Sequence, residues 1–456
     1  MKSVTVESYE GVVKDEAATD NFEVFKKEEG AVDFRTVSWI HAAMIFTKMI
    51  FATGVLSIPS ALYTLGAAPG AICIIGFVSL NSYCGFLLGE FRNIHPGCHS
   101  VADMAQLIGG KVLREIIGGI FLLSFVVSAA TGVLGVSVAL NALSNHAICT
   151  NYFLVVATIA IAAAASVRKF EKFAWLTWAG FFSIFIAIFI VVVGVTTLDR
   201  PAAAPQTGDF ELGYHAIAHP TFAAGITAAA TIFGTSAAPP AFLPVISEMK
   251  RPKDFNKALL VCMIFVVSSY LAFSLVVYRW CGQWVASPSL GSAGPVLKKV
   301  AFGVGLFGLL ISAALYVHVA AKYIFVRILR NTDHLQRNTF VHWGVWMGCT
   351  LGLSIISFLI ASGIPIFDYI VGLAGSLCFA PLATGFPAML WLYDYGDYRK
   401  GTIIHKAQFG VHILMAAFAL FLTIGGTYGV VQQIILAYET GKISSAFPCA
   451  DNSNSS

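Results

Sequence analysis

Long apolar runs alternate with short polar stretches along the chain after residue 36. A helix needs about 20 apolar residues to cross the hydrocarbon core of a bilayer. The runs that meet this length are residues 38–66, 69–91, 114–144, 150–167, 173–198, 220–247, 256–280, 297–327, 339–361, 365–393 and 406–437. The pattern therefore predicts an all-α polytopic membrane protein with eleven transmembrane helices.

The composition supports this fold class. Hydrophobic residues make up 57% of the chain and charged residues 11%, whereas soluble domains carry about 25% charged residues. The net charge of +4 is too small to indicate a surface for nucleic acid. The sequence has no Walker, Cys-x-x-Cys or His-Glu-x-x-His motif. We therefore expect no enzymatic activity, no cofactor and no metal site.

The distribution of charge divides the chain into three regions. Residues 1–36 are polar, with nine acidic and five basic side chains, and are expected to form a disordered cytoplasmic tail. Residues 37–437 form the transmembrane domain, and residues 438–456 form an extracellular tail. The first 30 residues lack the basic start and apolar core of a secretory signal, so no cleaved signal peptide is predicted.

Lysine and arginine residues set the predicted orientation. If the N-terminus is cytoplasmic, the cytoplasmic loops and helix ends carry 16 of these residues, and the outer loops with the C-terminal tail carry five. Cytoplasmic loops of membrane proteins are enriched in lysine and arginine. We therefore predict a multi-pass protein of the plasma membrane with a cytoplasmic N-terminus, and the vacuolar membrane stays open as the alternative.

The first apolar run is interrupted within TKMIFATGVLSIPSA, residues 47–61, where a lysine, a glycine and a proline stand among apolar residues. A freed backbone group in hydrocarbon costs several kcal/mol. Spanning helices are therefore broken only where the exposed backbone meets protein, water or a ligand. A kink at Pro59 alone does not explain the small residues that end at Gly54, more than a turn earlier. The stretch predicts a broken helix with accessible backbone.

The sixth run contains a second interruption, AAATIFGTSAAPPAFLPVISEMKRP, with Gly234 followed by three prolines. The two interrupted runs lie five spans apart, so they cross the membrane in opposite directions. Paired broken helices in two inverted halves indicate a transport site near the bilayer midplane. Free N–H groups at a half-helix start bind a carboxylate, and free carbonyls bind an ammonium group. The pair of breaks therefore predicts a binding site for a zwitterion.

Two stretches resemble signatures of the amino acid/auxin permease family. KMIFATGVLSIPSAL resembles the first helix of that family, and FLPVISEMKRPKDFNKAL resembles the end of its sixth helix with the following loop. The resemblance covers nearly the whole chain after the tail and is strongest for fungal neutral amino acid permeases. It implies the leucine-transporter-like fold, a five-plus-five inverted repeat with one extra helix, and secondary active import of amino acids.

The candidate substrate-binding residues are Ala52, Thr53, Gly54, Val55, Phe233, Gly234, Thr235 and Ser236. Those of the first interruption are expected to offer backbone N–H groups to the substrate carboxylate, and a purely structural kink is the alternative. Those of the second form the opposing strip, in which Phe233 either closes over the substrate or serves only packing. The acidic residues Glu90, Glu248 and Asp368 all sit near span ends. A cationic substrate needs a buried counter-charge, so neutral amino acids are favoured.

Lys48 and His318 are the candidates for coupling transport to an ion. Lys48 precedes the first interruption, matches a lysine of the fungal-type members, and can replace a bound cation by its own charge. His318 lies within the eighth span and can titrate near neutral pH, and a structural hydrogen-bonded histidine is the alternative. The eighth span offers Ser312 but no dense set of oxygen ligands for sodium. We therefore expect proton symport.

The resemblance also implies a disulfide between Cys149 and Cys281, because related proton-coupled members carry a bridge between these two outer loops. Two free cysteines are the alternative, and Cys449 on the tail is a weaker partner. Two other functions stay open for the whole chain. One is a membrane-embedded receptor that binds amino acids without moving them, and the other is an exporter of amino acids from the vacuole.

Overall fold

The computed structural model describes residues 37–453, apart from residues 52, 99, 168–169, 330–331, 333, 335–338, 442, 444 and 448. Within helices, the side chains of residues 170–175, 177, 244, 247 and 248 are also outside the described set. The predicted cytoplasmic tail at residues 1–36 and the candidate residue Ala52 lie outside the described residues.

Helices make up most of the described chain, which contains an isolated β-bridge between Val37 and Met249 but no β-strand. The α-helices, numbered α1 to α15 in chain order, are Trp39–Ile50, Ile58–Leu65, Ala67–Ile94, Val101–Ser144, Thr150–Ala165, Phe170–Thr196, Phe222–Ser236, Leu243–Glu248, Phe255–Cys281, Pro295–Leu329, Phe340–Gly363, Phe367–Leu373, Phe386–Asp394, Ile403–Phe421 and Thr427–Glu439. A π-helical segment, Ala374–Gly385, joins α12 to α13. The predicted all-α fold class is confirmed.

The helix lengths agree with a protein that crosses the membrane many times. In the described chain, nine helices are long and apolar enough to span a bilayer, and the bent pair Trp39–Ile50 and Thr53–Leu65 makes a tenth. Helix α5 has 16 residues and falls short of that length. Each predicted segment contains a helix, but the count of eleven transmembrane helices is not confirmed.

The first predicted interruption is present as a break between α1 and α2. Helix α1 ends at Ile50, a 3₁₀ turn covers Thr53–Ser57, and α2 continues in a direction 43° away. Pro59 stands in the first turn of α2. Proline is tolerated there because the N–H groups of a first turn have no partner inside the helix. The proline therefore fixes where the second half of the helix can begin.

The second predicted interruption is present between α7 and α8. Helix α7 ends at Ser236, and Ala237 departs from helical geometry with φ −86° and ψ 33°. A 3₁₀ turn, Pro239–Phe242, leads into α8, which has Pro244 in its first turn. Each of these prolines removes a backbone donor from the helical ladder. The sequence therefore cannot continue α7 without a break.

The helix ends form two sides of the bundle. The disulfide side contains Cys149, before α5, and Cys449 in the tail, whose Cα atoms are 4.5 Å apart in a disulfide. On the opposite side, the N–H of Lys250 donates to the carbonyl of Val37 over 2.9 Å. This bond joins the residues just before the first broken helix to those just after the second.

The predicted bridge between Cys149 and Cys281 is wrong. Cys149 pairs with Cys449, while Cys281 ends α9 as a buried free thiol. The tail reaches Cys149 because it is held on the helix ends: Thr150 Oγ1 donates to the carbonyl of Ala450 over 2.6 Å, and Lys298 Nζ to that of Ser453 over 2.6 Å. Sequence reasoning ranked Cys449 as the weaker partner because nothing in the sequence indicates this docking.

Candidate functional site

The two helix breaks meet inside the bundle. An ideal Cβ built on Gly54 would lie 3.2 Å from Cγ2 of Thr235, so the first break contacts the second. A cavity of about 70 Å³ opens beside this contact and is lined by Thr53 and Gly54 on one side and by Gly234 and Thr235 on the other. One water needs about 10–15 Å³ of such space. The cavity is therefore large enough for a small molecule.

Tyr270 of α9 binds the free carbonyls of both breaks. Its side chain is fully buried, and its hydroxyl lies 3.3 Å from the carbonyl oxygen of Ile50 and 3.0 Å from that of Thr235. Both carbonyls lie at the ends of broken helices, where no helical N–H group is available. The phenol has one proton and can donate it to either carbonyl, so it links one break to the other and leaves acceptor capacity on both carbonyls.

Asn81 of α3 supports the second break. Its Nδ2 donates to Ser236 Oγ over 2.8 Å and to the carbonyl of Phe233 over 3.4 Å. The Asn81 side chain is fully buried. Leaving such backbone groups unpaired in the interior would cost about 1–3 kcal/mol each. The amide thus stabilises the open end of α7 without entering the cavity.

Gly234 lies where α7 meets the π-helical segment. A Cβ on Gly234 would approach the Cα of Gly375 to 2.8 Å and its backbone nitrogen to 3.2 Å. Real Cβ atoms essentially never come closer than 3.0 Å to another heavy atom. The two glycines therefore permit direct backbone contact between the second broken helix and the segment that follows α12.

One wall of the cavity is a row of hydroxyl groups on α4. Ser124, Ser128 and Thr131 all line the cavity, and their spacing of four and three residues puts them on one helix face. Each donates its proton to a carbonyl three or four residues earlier, over 2.7, 2.8 and 3.2 Å. Their oxygen lone pairs remain available to accept hydrogen bonds from a ligand.

The other walls are mainly apolar and aromatic. Phe121 and Phe125 of α4 and Tyr316 of α10 line the cavity, with ring centroids 4.8 Å apart for the phenylalanine pair and 6.0 Å apart for Phe125 and Tyr316. Among the described residues, the lining contains no aspartate, glutamate, lysine, arginine or histidine. A cavity of this kind suits a ligand whose side chain carries no net charge.

The structure brings four of the eight predicted substrate-binding residues to the cavity, and these are Thr53, Gly54, Gly234 and Thr235. Val55 is buried in the core, and Ser236 accepts the Asn81 hydrogen bond. Phe233 is fully buried and packs edge-on against Phe77, with centroids 5.6 Å apart. The contacts of Phe233 favour the packing alternative over a gate. The eighth residue, Ala52, lies outside the described residues.

Lys48 is placed beside the first break but not in the cavity lining. The side chain, on α1, is 8% exposed, and its Nζ lies 3.5 Å from the ring centroid of Trp178 on α6. A cation over an indole face is stabilised by the ring quadrupole. Met49 and Ile50, the next two residues, line the cavity. The charge of Lys48 is therefore close to the first break.

His318 is placed outside the cavity. It lies on α10 with Nδ1 3.1 Å from the carbonyl oxygen of Ala165 and its ring packed edge-on against Trp346, with centroids 5.2 Å apart. The residues that α10 contributes to the cavity are Leu315, Tyr316 and Val319. His318 therefore faces α5 and α11, and the predicted pair of coupling residues is not brought together.

Sequence reasoning missed the hydroxyl row of α4 and the two polar residues that hold the breaks. The row has a signal in the sequence, because serine, serine and threonine recur at helical spacing within an apolar run. Tyr270 and Asn81 have no such signal. Their partners lie 35 or more residues away along the chain, and only the folded arrangement brings them together.

Comparisons with known sequences agree with these features. Residues 35–432 match the family described as "Transmembrane amino acid transporter protein". The chain is 49% identical over 431 residues to a "Transmembrane transporter" of Gibberella moniliformis, covering 94% of this chain and 91% of the relative. It is 28% identical over 442 residues to the "N amino acid transport system protein" of Neurospora crassa, covering 93% and 90%.

Comparison with solved structures identifies the fold. The inward-facing conformation of Mhp1 superposes with a TM-score of 0.54 at 14% identity, covering 92% of this chain and 94% of Mhp1. Mhp1 in a closed conformation, a nucleobase-cation-symport-1 family transporter with bromovinylhydantoin bound, gives 0.52 at 12% identity, covering 92% and 96%. At this identity the likeness shows the fold alone, and it confirms the predicted leucine-transporter-like architecture.

Proposed function

Since the chain belongs to the family of transmembrane amino acid transporter proteins, we propose that it imports neutral amino acids across the plasma membrane by proton symport. Membership of this family makes it a multi-pass membrane transporter of amino acids and not an enzyme. The neutral substrate, the proton, the direction of transport and the choice of membrane are what the proposal adds.

The observation that carries the proposal is the cavity at the junction of the two breaks. The 3₁₀ turn that begins at Thr53 leaves the first N–H groups of the second half-helix without intrahelical partners, while the ends of α1 and α7 direct carbonyls towards the break. A zwitterion can therefore place its carboxylate near Gly54 and its ammonium group near the carbonyls. The described lining has no charged side chain, which supports a substrate with a neutral side chain.

The charge beside the first break supports coupling to protons. Lys48 places an amino group next to the cavity, and in its protonated form it can replace a bound metal ion in that position. We therefore keep Lys48 as a coupling residue. The side chain of His318 contacts α5 and α11 and does not reach the cavity. His318 remains a coupling candidate only because its helix, α10, also lines the cavity. The excess of lysine and arginine in one set of loops, 16 against five, supports a cytoplasmic N-terminus.

Uptake into proteoliposomes tests the proposal. The purified full-length protein is reconstituted, and uptake of a panel of radiolabelled amino acids is measured with an acidic exterior, with the pH gradient collapsed by a protonophore, and with sodium replaced by choline. We expect accumulation of neutral amino acids that needs the gradient and is unaffected by sodium. Accumulation that strictly requires sodium, or that is restricted to charged amino acids, would contradict the proposal.

Two further results would favour the other functions. Saturable binding without accumulation in any gradient would indicate a receptor. Localisation of the tagged protein to the vacuole in cells, together with amino acid movement out of acidified vesicles, would indicate a vacuolar exporter.

A further inference from the structure

We propose that Asp368 is the residue that binds the transported proton, and that its protonation closes the cavity on the disulfide side. Asp368 lies in the first turn of α12, one helical turn before Val371, which lines the cavity. The inference rests on the proposed proton symport and names the group that takes up the proton. Sequence reasoning noted this residue only as an acid near a span end.

Asp368 touches both broken helices. Ser60 of α2 has its Oγ 2.6 Å from Oδ2 of Asp368, and Thr231 of α7 donates to the Asp368 backbone carbonyl over 3.4 Å. Ser60 also contacts Ser57, whose Oγ donates to the carbonyl of the cavity residue Gly54 over 2.7 Å. A chain of hydrogen bonds therefore links this carboxyl group to the first break.

Counting protons at this junction favours a protonated carboxyl group. Ser60 Oγ lies 2.6 Å from Asp368 Oδ2 and 2.8 Å from the carbonyl oxygen of Ser57. A serine hydroxyl has a single proton to donate, so an ionised Asp368 and the Ser57 carbonyl would compete for it. A carboxylic acid supplies a second proton: Asp368 donates to Ser60 Oγ, and Ser60 donates to Ser57. Both contacts are then full hydrogen bonds.

The second oxygen of the carboxyl group leads to the same conclusion. Asp368 Oδ1 is buried and makes no hydrogen bond of normal geometry within the described residues. The Ser287 hydroxyl lies beside the carboxyl group, but its oxygen is also unsatisfied among the described residues. A buried carboxylate with only serine hydroxyl groups beside it among the described residues is more costly than a neutral acid. The contact between α2 and α12 therefore suits the acid form.

Four of the elements packed against α12 provide no positive charge to hold an ionised form. Helices α2 and α7, the 3₁₀ turn Thr53–Ser57 and the π-helical segment contain no aspartate, glutamate, lysine, arginine or histidine. The titratable groups of these elements and of α12 itself are Tyr63, Cys378 and Tyr369.

Two other elements packed against α12, helices α15 and α4, have charged groups; the one on α15 is negative, and those on α4 lie far from its contact with α12. Helix α15 has Tyr428, Tyr438 and, at its exposed end, Glu439. Helix α4 contacts α12 at Gly135, next to Phe367. Its titratable groups lie at least 20 residues earlier, or about 30 Å along the axis at 1.5 Å per residue, and they are Asp103, Lys111, Arg114 and Glu115.

These contacts give the proton a mechanical role. A proton arriving from the disulfide side converts the Asp368 carboxylate to the acid, whose O–H bonds to Ser60 and holds α2 against α12 beside the cavity. Loss of the proton leaves a carboxylate that needs water, so α2 and α12 separate. In the proposed topology the disulfide side is the outside, and proton binding therefore accompanies closure behind an entering substrate.

The Asp368→Asn variant of the full-length protein tests this role in proteoliposomes with radiolabelled alanine. Asparagine keeps the shape of the acid, can donate an N–H to Ser60, and cannot release a proton. With one proton per substrate, wild-type protein can sustain about a tenfold concentration ratio for each unit of the pH gradient. We expect a ratio of about 1 for the variant, with exchange of labelled for unlabelled alanine retained and independent of pH.

Glu439→Gln is the matched control, because it neutralises an exposed carboxylate near the end of α15. It should accumulate alanine as the wild type does. If Asp368→Asn accumulates alanine with wild-type pH dependence, the inference is overturned while the proposed function stands. A folded variant that has lost both accumulation and exchange also overturns the inference. If accumulation by the wild-type protein does not respond to a pH gradient, the proposed proton symport is itself contradicted, and the inference about Asp368 falls with it.

Ser60→Ala is a second variant in case Asp368→Asn does not fold. It leaves the acid in place and removes the link between the acid and α2. We expect a lower accumulation ratio with exchange retained, because protonation no longer holds α2 against α12. An accumulation ratio equal to that of the wild type would overturn the inference.

Discussion

Gly54 in the first break and Gly234 in the second both lack a side chain, but a Cβ added at each would meet different neighbours. On Gly54 its nearest contact would be the side chain of Thr235, with Cγ2 3.2 Å away. On Gly234 it would meet the backbone of Gly375, with the Cα 2.8 Å away. A side chain can move aside by a few tenths of an ångström, whereas two packed backbones cannot.

The comparison separates two reasons for glycine at a helix break. Gly54 borders the cavity, so a larger residue there should reduce the space for a ligand and affect transport before it affects folding. Gly234 lets α7 approach the π-helical segment, so any side chain there should affect folding first. Similar sequence signals thus have different physical causes, and substitutions at the two glycines should have different consequences.

Gly54→Leu should have the largest effect on transport. A leucine side chain would occupy much of the cavity of about 70 Å³, so uptake of neutral amino acids should fall to background while the protein still elutes as a folded monodisperse species. Gly344→Leu is the control, because a Cβ at Gly344 would have no neighbour within 4 Å. Normal uptake by folded Gly54→Leu protein would show that the first break is not part of the substrate site.

Gly234→Ala should have the largest effect on stability. The added methyl group would press on the Gly375 backbone, and overpacking of this kind costs about 1–3 kcal/mol. The Tm in detergent should therefore fall, whereas Gly352→Ala, which adds a methyl group with no neighbour within 4 Å, should leave the Tm unchanged or raise it slightly. An unchanged Tm for Gly234→Ala would contradict the packing role of this glycine.

Tyr270→Phe should affect both breaks to an intermediate extent. The variant keeps the ring and removes the hydroxyl that binds the carbonyls of Ile50 and Thr235. Leaving a buried carbonyl without a donor costs about 1–3 kcal/mol, so both the Tm and the substrate affinity should fall. Tyr152→Phe, at a position that is 65% exposed, serves as the control. Loss of stability with unchanged affinity would show that Tyr270 does not position the site.

Ser128→Ala should have the smallest effect, confined to substrate preference. The Ser128 hydroxyl donates to its own helix and presents its lone pairs to the cavity. Removing one neutral hydrogen bond costs about 0.5–1.5 kcal/mol, so uptake of glutamine or serine should weaken relative to that of alanine. The exposed Ser268→Ala on α9 should leave the ratio unchanged. Equal loss for all substrates would argue against direct contact with the substrate side chain.

The sequence was sufficient to predict both breaks, because proline and glycine act on the backbone at their own positions. The same holds for the all-α class, which follows from the length and composition of the apolar runs. The pairing of Cys149 depends on where a distant tail docks, and the sequence analysis chose the wrong partner. Tyr270 and Asp368 were missed because their roles arise from contacts with helices far away in the chain.

An experimental structure with a bound neutral amino acid, such as alanine, tests the central claim most directly. We predict that the carboxylate lies within hydrogen-bonding distance of backbone N–H groups near Gly54, that the ammonium group faces carbonyls at the ends of α1 and α7, and that the side chain points towards the hydroxyl row of α4. Density for the amino acid elsewhere in the bundle, with the space between Gly54 and Gly234 filled by protein, would contradict this assignment of the transport site.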